Sequence, residues 1–281
     1  MKIGFVGTYG TVQELVDLAV DAEEHGWDGY FTWDGVDLDG MPAWDPFAVL
    51  AAAAVRTERV TLGALVFALA RRRPWVFAKQ AVTVDHLSGG RLVLPVGLGV
   101  PTDGAVAAVT GEATTLRERA ERFDDALAVL DRSFAGERFD VAGTHLRVEG
   151  MRLVPTPVAR PDGRTRIPLW VVGAFPSERS MGRALRHDGV VAQYRGERAQ
   201  EGISPQDAAE MVAWVTERRG AGAGPFDVVL HDALPTDRGE ASELLAAYEE
   251  AGVTWFVDAL WDPAVGTADV QRARVRTGPP R

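Results

Sequence analysis

The sequence predicts an α/β protein of the (β/α)8 TIM-barrel class, with one insertion after the fourth helix. Three observations predict it. Strand-like and helix-like segments alternate almost from end to end of the 281 residues. Most strand segments are apolar nearly throughout, as in a parallel sheet covered by helices. Eight such units in one chain favour a closed barrel over an open doubly wound sheet. No long Ser- or Pro-rich linker divides them, so residues 1–281 read as a single domain.

Each element follows from local chemistry. Residues 3–7 are a short apolar run closed by Gly7 and Gly10. Residues 12–25 place Val12, Leu15, Val16, Ala19, Val20 and Ala22 on one helical face, and Gly26 ends the helix. Residues 30–33 are the second strand. Asp45 caps, and Pro46 opens, a helix to residue 55. Residues 60–67 read as an apolar third strand, and 75–87 as its helix before Ser88-Gly89-Gly90. Residues 92–96 and 116–134 make the fourth pair. The insertion is 136–168, with a hairpin over 139–148 turning at Ala142-Gly143. Two placements suit it: across the barrel mouth, or in a dimer contact. Further pairs follow at 169–172 and 177–187, and at 190–193 and 205–218, the second helix capped by Ser204. The last two are 226–231 with 240–251, and 253–257 with 267–276.

Composition narrows the function. With no cysteine, disulfide scaffolds, Cys-ligated metals and thiolate nucleophiles are excluded. A formal net charge of -10 argues against nucleic acid as a partner, which needs a basic stripe. No apolar run reaches the roughly 20 residues of a membrane span. The first residues lead straight into patterned sequence, so a cytoplasmic protein without a signal peptide is expected. All basic residues except Lys2 and Lys79 are arginines, a mark of coding bias rather than mechanism.

Chemistry in such barrels sits at the carboxyl ends of the strands. That rule brings forward Thr8 and Tyr9; Trp33, Asp34 and Asp37; Phe67 and the run Arg71-Arg72-Arg73; and Gly97, Leu98 and Gly99. From the second half it adds Gly173, Ala174, Phe175 and Ser177; Gln193, Tyr194 and Arg195; His231 and Asp232; and Asp258, Trp261 and Asp262. No HExxH pair is present, and the Asp34-Asp37-Asp39 run lacks the terminal Glu of a calcium loop, so no metal is expected. There is no P-loop and no GxSxG elbow. Asp34 reads as a base, an orienting carboxylate or a turn residue. His231 reads as a titrating group or a satisfied core histidine. Gly97 and Gly99 let a flat ligand reach the backbone, or simply make a turn. Ser177 adds a hydroxyl to an anion site at a helix start, or only caps the helix. Tyr9, Trp33, Phe67, Phe175 and Trp261 make a stacking wall or fill cores.

Three blocks together carry a resemblance. They are "GTYGTVQELVDLAVDAEEHGWDGYFTWD", "RRRPWVFAKQAVTVDHLSGGRLVLPVGLG" and "IPLWVVGAFPSERSMGRALRHDG", with "LRERAERFDDALAVLDRSFAG" in support through Arg119 and Asp125. The chain resembles the bacterial-luciferase-like flavin and deazaflavin oxidoreductases. That resemblance implies a usually dimeric barrel binding F420 or FMN at its carboxyl face. It implies a cofactor ring near Phe67, Arg71 and Arg72, flanked by Gly97, Leu98 and Gly99, and a non-prolyl cis peptide at the end of the third strand. It further implies a phosphate reached by Arg119 and by the turn of Gly173, Ala174, Phe175 and Ser177.

The departures matter as much. Where the family commonly has Asp-His after the second strand, this chain has Asp34-Gly35. Pro95 stands where the family usually has Gly, and Leu98 where luciferases have Arg. The expected acid/base group is therefore missing, and Asp34 and His231 remain as catalytic candidates. Tyr9, Trp33, Tyr194 and Trp261 are expected to meet a small-molecule substrate. The leading expectation is hydride transfer between F420 and a small organic molecule. A homodimer is expected; a reduced-FMN monooxygenase, a flavin-binding or regulatory barrel without redox turnover, and a barrel hydrolase or lyase are the alternatives.

Overall fold

Most helix starts among the described residues are set by side chains that satisfy otherwise free N–H groups. Thr11 and Glu14 form a reciprocal capping box, Asp45 accepts from Ala48 N–H ahead of Pro46, and Ser204 accepts from Asp207 N–H ahead of Pro205. The computed structural model describes residues 1–161, 163–194, 198, 202–220 and 222–281; Arg195 lies outside them. The elements run β1 (Lys2–Val6), α1 (Val12–Glu24), β2 (Gly29–Thr32), α2 (Pro46–Ala54), β3 (Thr61–Ala64), β4 (Phe67–Ala68), α3 (Pro74–Leu87) and β5 (Leu94–Gly97). Next come α4 (Gly104–Ala107), α5 (Leu116–Ser133), β6 (Phe139–Ala142), β7 (Arg147–Met151), β8 (Leu169–Phe175), α6 (Glu178–Ala184) and β9 (Gly189–Tyr194). The chain ends with α7 (Pro205–Arg219), β10 (Asp227–Asp232), α8 (Arg238–Glu250), β11 (Trp255–Asp258) and α9 (Ala268–Thr277).

These elements gather into two compact units: Met1–Phe31 with Pro168–Arg281, and Thr32–Ile167. In the first, parallel strands follow the order β2-β1-β11-β10-β9-β8. Phe31, Trp170 and Trp255 pack together with ring centroids 5.3 to 6.0 Å apart. All three are buried, each contributing about 1.5–3 kcal/mol or somewhat more through apolar area removed from water.

In the second unit β4 pairs in parallel with β5, and Leu62 bridges to Leu92. Phe47, Phe67 and Phe77 form a second buried aromatic cluster, at 4.7 to 5.1 Å. The inserted hairpin β6–β7 alternates inward and outward side chains. Its inward Phe139, Val141 and Val148 cover Val129 of α5, so its apolar face is used against that helix. Asp125 of the same helix accepts from Thr144 and His145 N–H at the hairpin tip. The return segment is tied to α3, where buried Asp85 accepts from Val158 N–H and from both terminal nitrogens of Arg160, while His86 meets the Thr156 carbonyl.

The structure corrects several expected boundaries. The third strand is not one run over 60–67: it breaks into β3 and β4 around a non-proline cis peptide at Leu65–Val66, and a single 3-10 turn, Leu69–Arg71, follows. Apolar composition cannot register such a break, because both halves remain buried. The short α4 was not expected; Asp103 caps it. The hairpin turn lies at 143–146 rather than at Ala142-Gly143.

Candidate functional site

In the second unit the side chains after β2 and β4 converge on Asp34. Its carboxylate takes both Nε and Nη2 of Arg72, at 2.8 and 2.7 Å, Nη2 of Arg71 at 2.7 Å, and the Ala68 N–H at 3.0 Å. Arg71 also donates to the Asp34 carbonyl and lies 3.8 Å from Asp103. Burial pushes the Asp34 carboxyl up; the Arg72 hydrogen bonds and the Arg72 and Arg71 charges outweigh it and hold the group below the usual range. These donors favour the charged form of the carboxylate and tie it to the Ala68 backbone. The guanidinium groups of Arg71 and Arg72 face Asp34.

Ala68, fixed in this way, is the surface on which Gly99 rests. Gly99 has φ +76°, and a Cβ there would fall 2.8 Å from the Ala68 Cβ, so both shape and backbone require glycine. The Gly99 carbonyl in turn accepts from Arg119 Nη1 at 3.1 Å. Arg119 is 6% exposed, and its Nε has no hydrogen-bond partner among the described residues. Burial pulls its pKa below the ordinary arginine value. Asp34, Arg71, Arg72, Ala68, Gly99 and Arg119 therefore form one continuous network. Gly97 is the register partner of Ala68. Leu98 lies between the two glycines, whereas the Phe67 ring is wholly buried in its aromatic cluster and offers a ligand only backbone.

The missing histidine has a steric cause. Trp33 folds over Gly35, so a Cβ at 35 would lie 2.3 Å from the Trp33 ring and 3.0 Å from Leu38. Gly35→His is expected to destabilise the protein by about 1–3 kcal/mol, the usual range for overpacking. Thermal unfolding checks this, and an unchanged midpoint would show that Trp33 moves aside freely.

In the first unit, three expected residues meet. The Tyr9 hydroxyl donates to the Trp261 carbonyl at 2.5 Å, and the Trp261 indole N–H donates to His231 Nδ1 at 3.4 Å. The His231 and Trp261 rings stand edge to face at 6.0 Å and 83°. Burial lowers the His231 pKa, with Asp232 pulling the other way; burial and Asp262 raise that of Tyr9.

Two residues that sequence reading missed hold these turns from beneath. Gln271, wholly buried on α9, accepts from Thr8 N–H and donates to the Tyr9 and Gly266 carbonyls. Arg274, three positions on and so on the same helix face, binds both oxygens of Asp258 and the Leu234 carbonyl. The available signal was a pair of long polar side chains spaced i, i+3 on a helix that must cover a sheet.

The turn after β8 is engaged with itself. Ser177 accepts from Ser180 N–H as the cap of α6, the Ala174 N–H is taken by Ser180 Oγ, and Phe175 packs on Trp214. Tyr194 is buried beneath the Arg198 guanidinium, and burial and the Asp207 carboxylate push its hydroxyl up to about 12. Asp21, Glu24 and His25 bring ligand-type atoms within 4.8 Å of one another, but Asp21 is already paired with Arg276.

The profile of the luciferase-like monooxygenases matches residues 3–264. An F420-dependent glucose-6-phosphate dehydrogenase of Nocardia farcinica is 32% identical over 195 residues, 68% of this chain and 52% of that protein. The chain thus spans about half the length of the curated relatives it matches. Among solved structures, an F420-dependent secondary alcohol dehydrogenase in complex with an F420–acetone adduct superposes with TM-score 0.76 at 15% identity, covering 98% of both chains. A monooxygenase from Streptomyces bottropensis gives 0.79 at 18% identity, covering 98% of this chain and 97% of that one. These likenesses show the fold, the (β/α)8 barrel of the luciferase-like type.

Proposed function

Because the chain belongs to the luciferase-like monooxygenase family, we propose that it transfers a hydride between the deazaflavin coenzyme F420 and a small organic substrate. One observation carries the reading: Arg119 is a buried cation whose Nε lacks a partner among the described residues, beside the Gly97–Gly99 loop. A buried charge without a counter-ion is costly, and an anionic cofactor group relieves it. The residues present fit the cofactor. The Gly97–Gly99 backbone and Ala68 would flank its ring system, and Arg119 would take its phosphate. The self-satisfied turn at Gly173, Ala174, Phe175 and Ser177 would contribute less. When bound, such a cofactor supplies two-electron hydride exchange; the protein supplies orientation and a dry pocket.

The F420-dependent glucose-6-phosphate dehydrogenases similar to this chain favour F420 over FMN, and so does the absence of an Arg at Leu98. Asp34 serves as a positioning residue, because its carboxylate already holds Arg71, Arg72 and Ala68. The polar contact to the reacting end of the substrate falls to His231, with Tyr9, Trp33, Tyr194 and Trp261 as further substrate contacts. A homodimeric, cytoplasmic enzyme is the accompanying reading, and the family resemblance supports the dimer. No helix among the described residues is long and apolar enough to cross a membrane.

Titration of the protein with F420 and with FMN, followed by cofactor fluorescence, tests the proposal. F420 is expected to bind the more tightly; tight FMN binding without F420 binding overturns the preference. Arg119→Met is expected to weaken F420 binding roughly ten- to a hundredfold, the effect of losing a hydrogen bond to a charged group. An unchanged affinity would remove Arg119 from the site.

A further inference from the structure

The Trp261–His231 contact fixes more than the position of a ring. An indole N–H is a donor only, so the nitrogen it meets must present a lone pair. That nitrogen is Nδ1 of His231, 3.4 Å from Trp261 Nε1. A neutral imidazole carries a single N–H, which therefore sits on Nε2. We propose that Trp261 is a positioning residue that locks His231 as an Nε2–H donor, so that the ligand atom His231 takes is an acceptor oxygen of the carbonyl or alkoxide type. This rests on the reading of His231 as facing the substrate.

The surrounding geometry supports the lock. Trp261 is held at its backbone by the Tyr9 hydroxyl, and Tyr9 is held by Gln271. The turn carrying Trp261 is further fixed by Thr8 Oγ1 on the Leu260 carbonyl and by Gln271 on the Gly266 carbonyl. Burial disfavours the imidazolium form, which would carry a proton on both nitrogens and lose the indole bond. His231 is half-buried, and no hydrogen bond engages its Nε2 among the described residues. A histidine in this state cannot draw a proton from an alcohol through Nε2, because that nitrogen already bears one. It polarises an oxygen by donating a hydrogen bond and keeps its own proton, which selects substrates presenting a carbonyl over those that must first be deprotonated.

The test is nitrogen NMR of the intact protein, labelled with 15N at histidine, at neutral pH. His231, assigned through loss of its signals in His231→Gln, is expected to show Nδ1 as an unprotonated and Nε2 as a protonated nitrogen. Trp261→Phe keeps the ring and removes the N–H, and is expected to move both resonances toward the average of mixed tautomers. Protonation at Nδ1 in the parent protein, or no change in Trp261→Phe, overturns the assignment. Titration with acetone is expected to shift Nε2 and leave Nδ1 in place; an unmoved Nε2 overturns the carbonyl-type ligand. None of these readings depends on cofactor identity. Failure of the F420 proposal would show instead in the cofactor titration.

Discussion

Asp34→Ala is expected to lower folding stability by about 3–5 kcal/mol, the range for removing one partner of a buried ion pair. The side chains of Asp34, Arg71 and Arg72 are 1, 9 and 17% exposed, so the two guanidinium groups would be left poorly solvated and facing each other. Urea unfolding measures the loss directly. The same substitution frees the Ala68 N–H, on which the seat of Gly99 depends, so F420 affinity is expected to fall with stability. The pH dependence has a definite sign. The folded carboxyl lies below its unfolded value of about 3.9, so its stabilisation is fully present above that pH and is lost as pH falls through the folded value. Asp34→Asn should therefore flatten acid unfolding in that range. A variant as stable as the parent, with unchanged acid sensitivity, would show that the Asp34 network has no structural weight.

Asp85→Ala is the second large effect, again about 3–5 kcal/mol by the same physics. Asp85 has no exposed side-chain surface, and the Arg160 side chain is 7% exposed. The carboxylate binds both terminal nitrogens of Arg160 and the Val158 N–H, so its loss strands a cation and a backbone donor together. Limited proteolysis offers a local readout. Cleavage between residues 154 and 164 is expected to accelerate more than cleavage elsewhere. Uniform acceleration along the chain would mean that the pair contributes only to global stability.

Much of the fold was legible because its signals are local. The Asp45 and Ser204 caps, the helical face through Leu15, Val16 and Ala19, and the apolar strands all declare themselves within one or two turns of chain. The break between β3 and β4 was not legible, because Leu65 and Val66 are as apolar as their neighbours and the segments on both sides are mostly buried. The site was legible as a list of positions and less so as chemistry. Asp34 and the arginine run were both singled out, but their mutual pairing spans 37 and 38 positions and leaves no periodic trace. Gly35 was recognised as a departure from the family, whereas its cause, the Trp33 ring above it, is a matter of three-dimensional packing. Gln271 and Arg274 escaped notice because polar residues on a final, strongly charged helix read as solvated.

That last helix bears on when the protein becomes competent. The Thr8–Gln271 hydrogen bond joins residues 263 positions apart, and Tyr9–Trp261 joins residues 252 apart. During synthesis β1 emerges early, yet the turn that follows it has no partner until α9 leaves the ribosome. Long-range closures of this kind form late and slowly. The turns around Thr8, Tyr9 and Trp261 thus depend on α9 for their hydrogen-bond partners, and removal of that helix is expected to leave them unset while most strands remain.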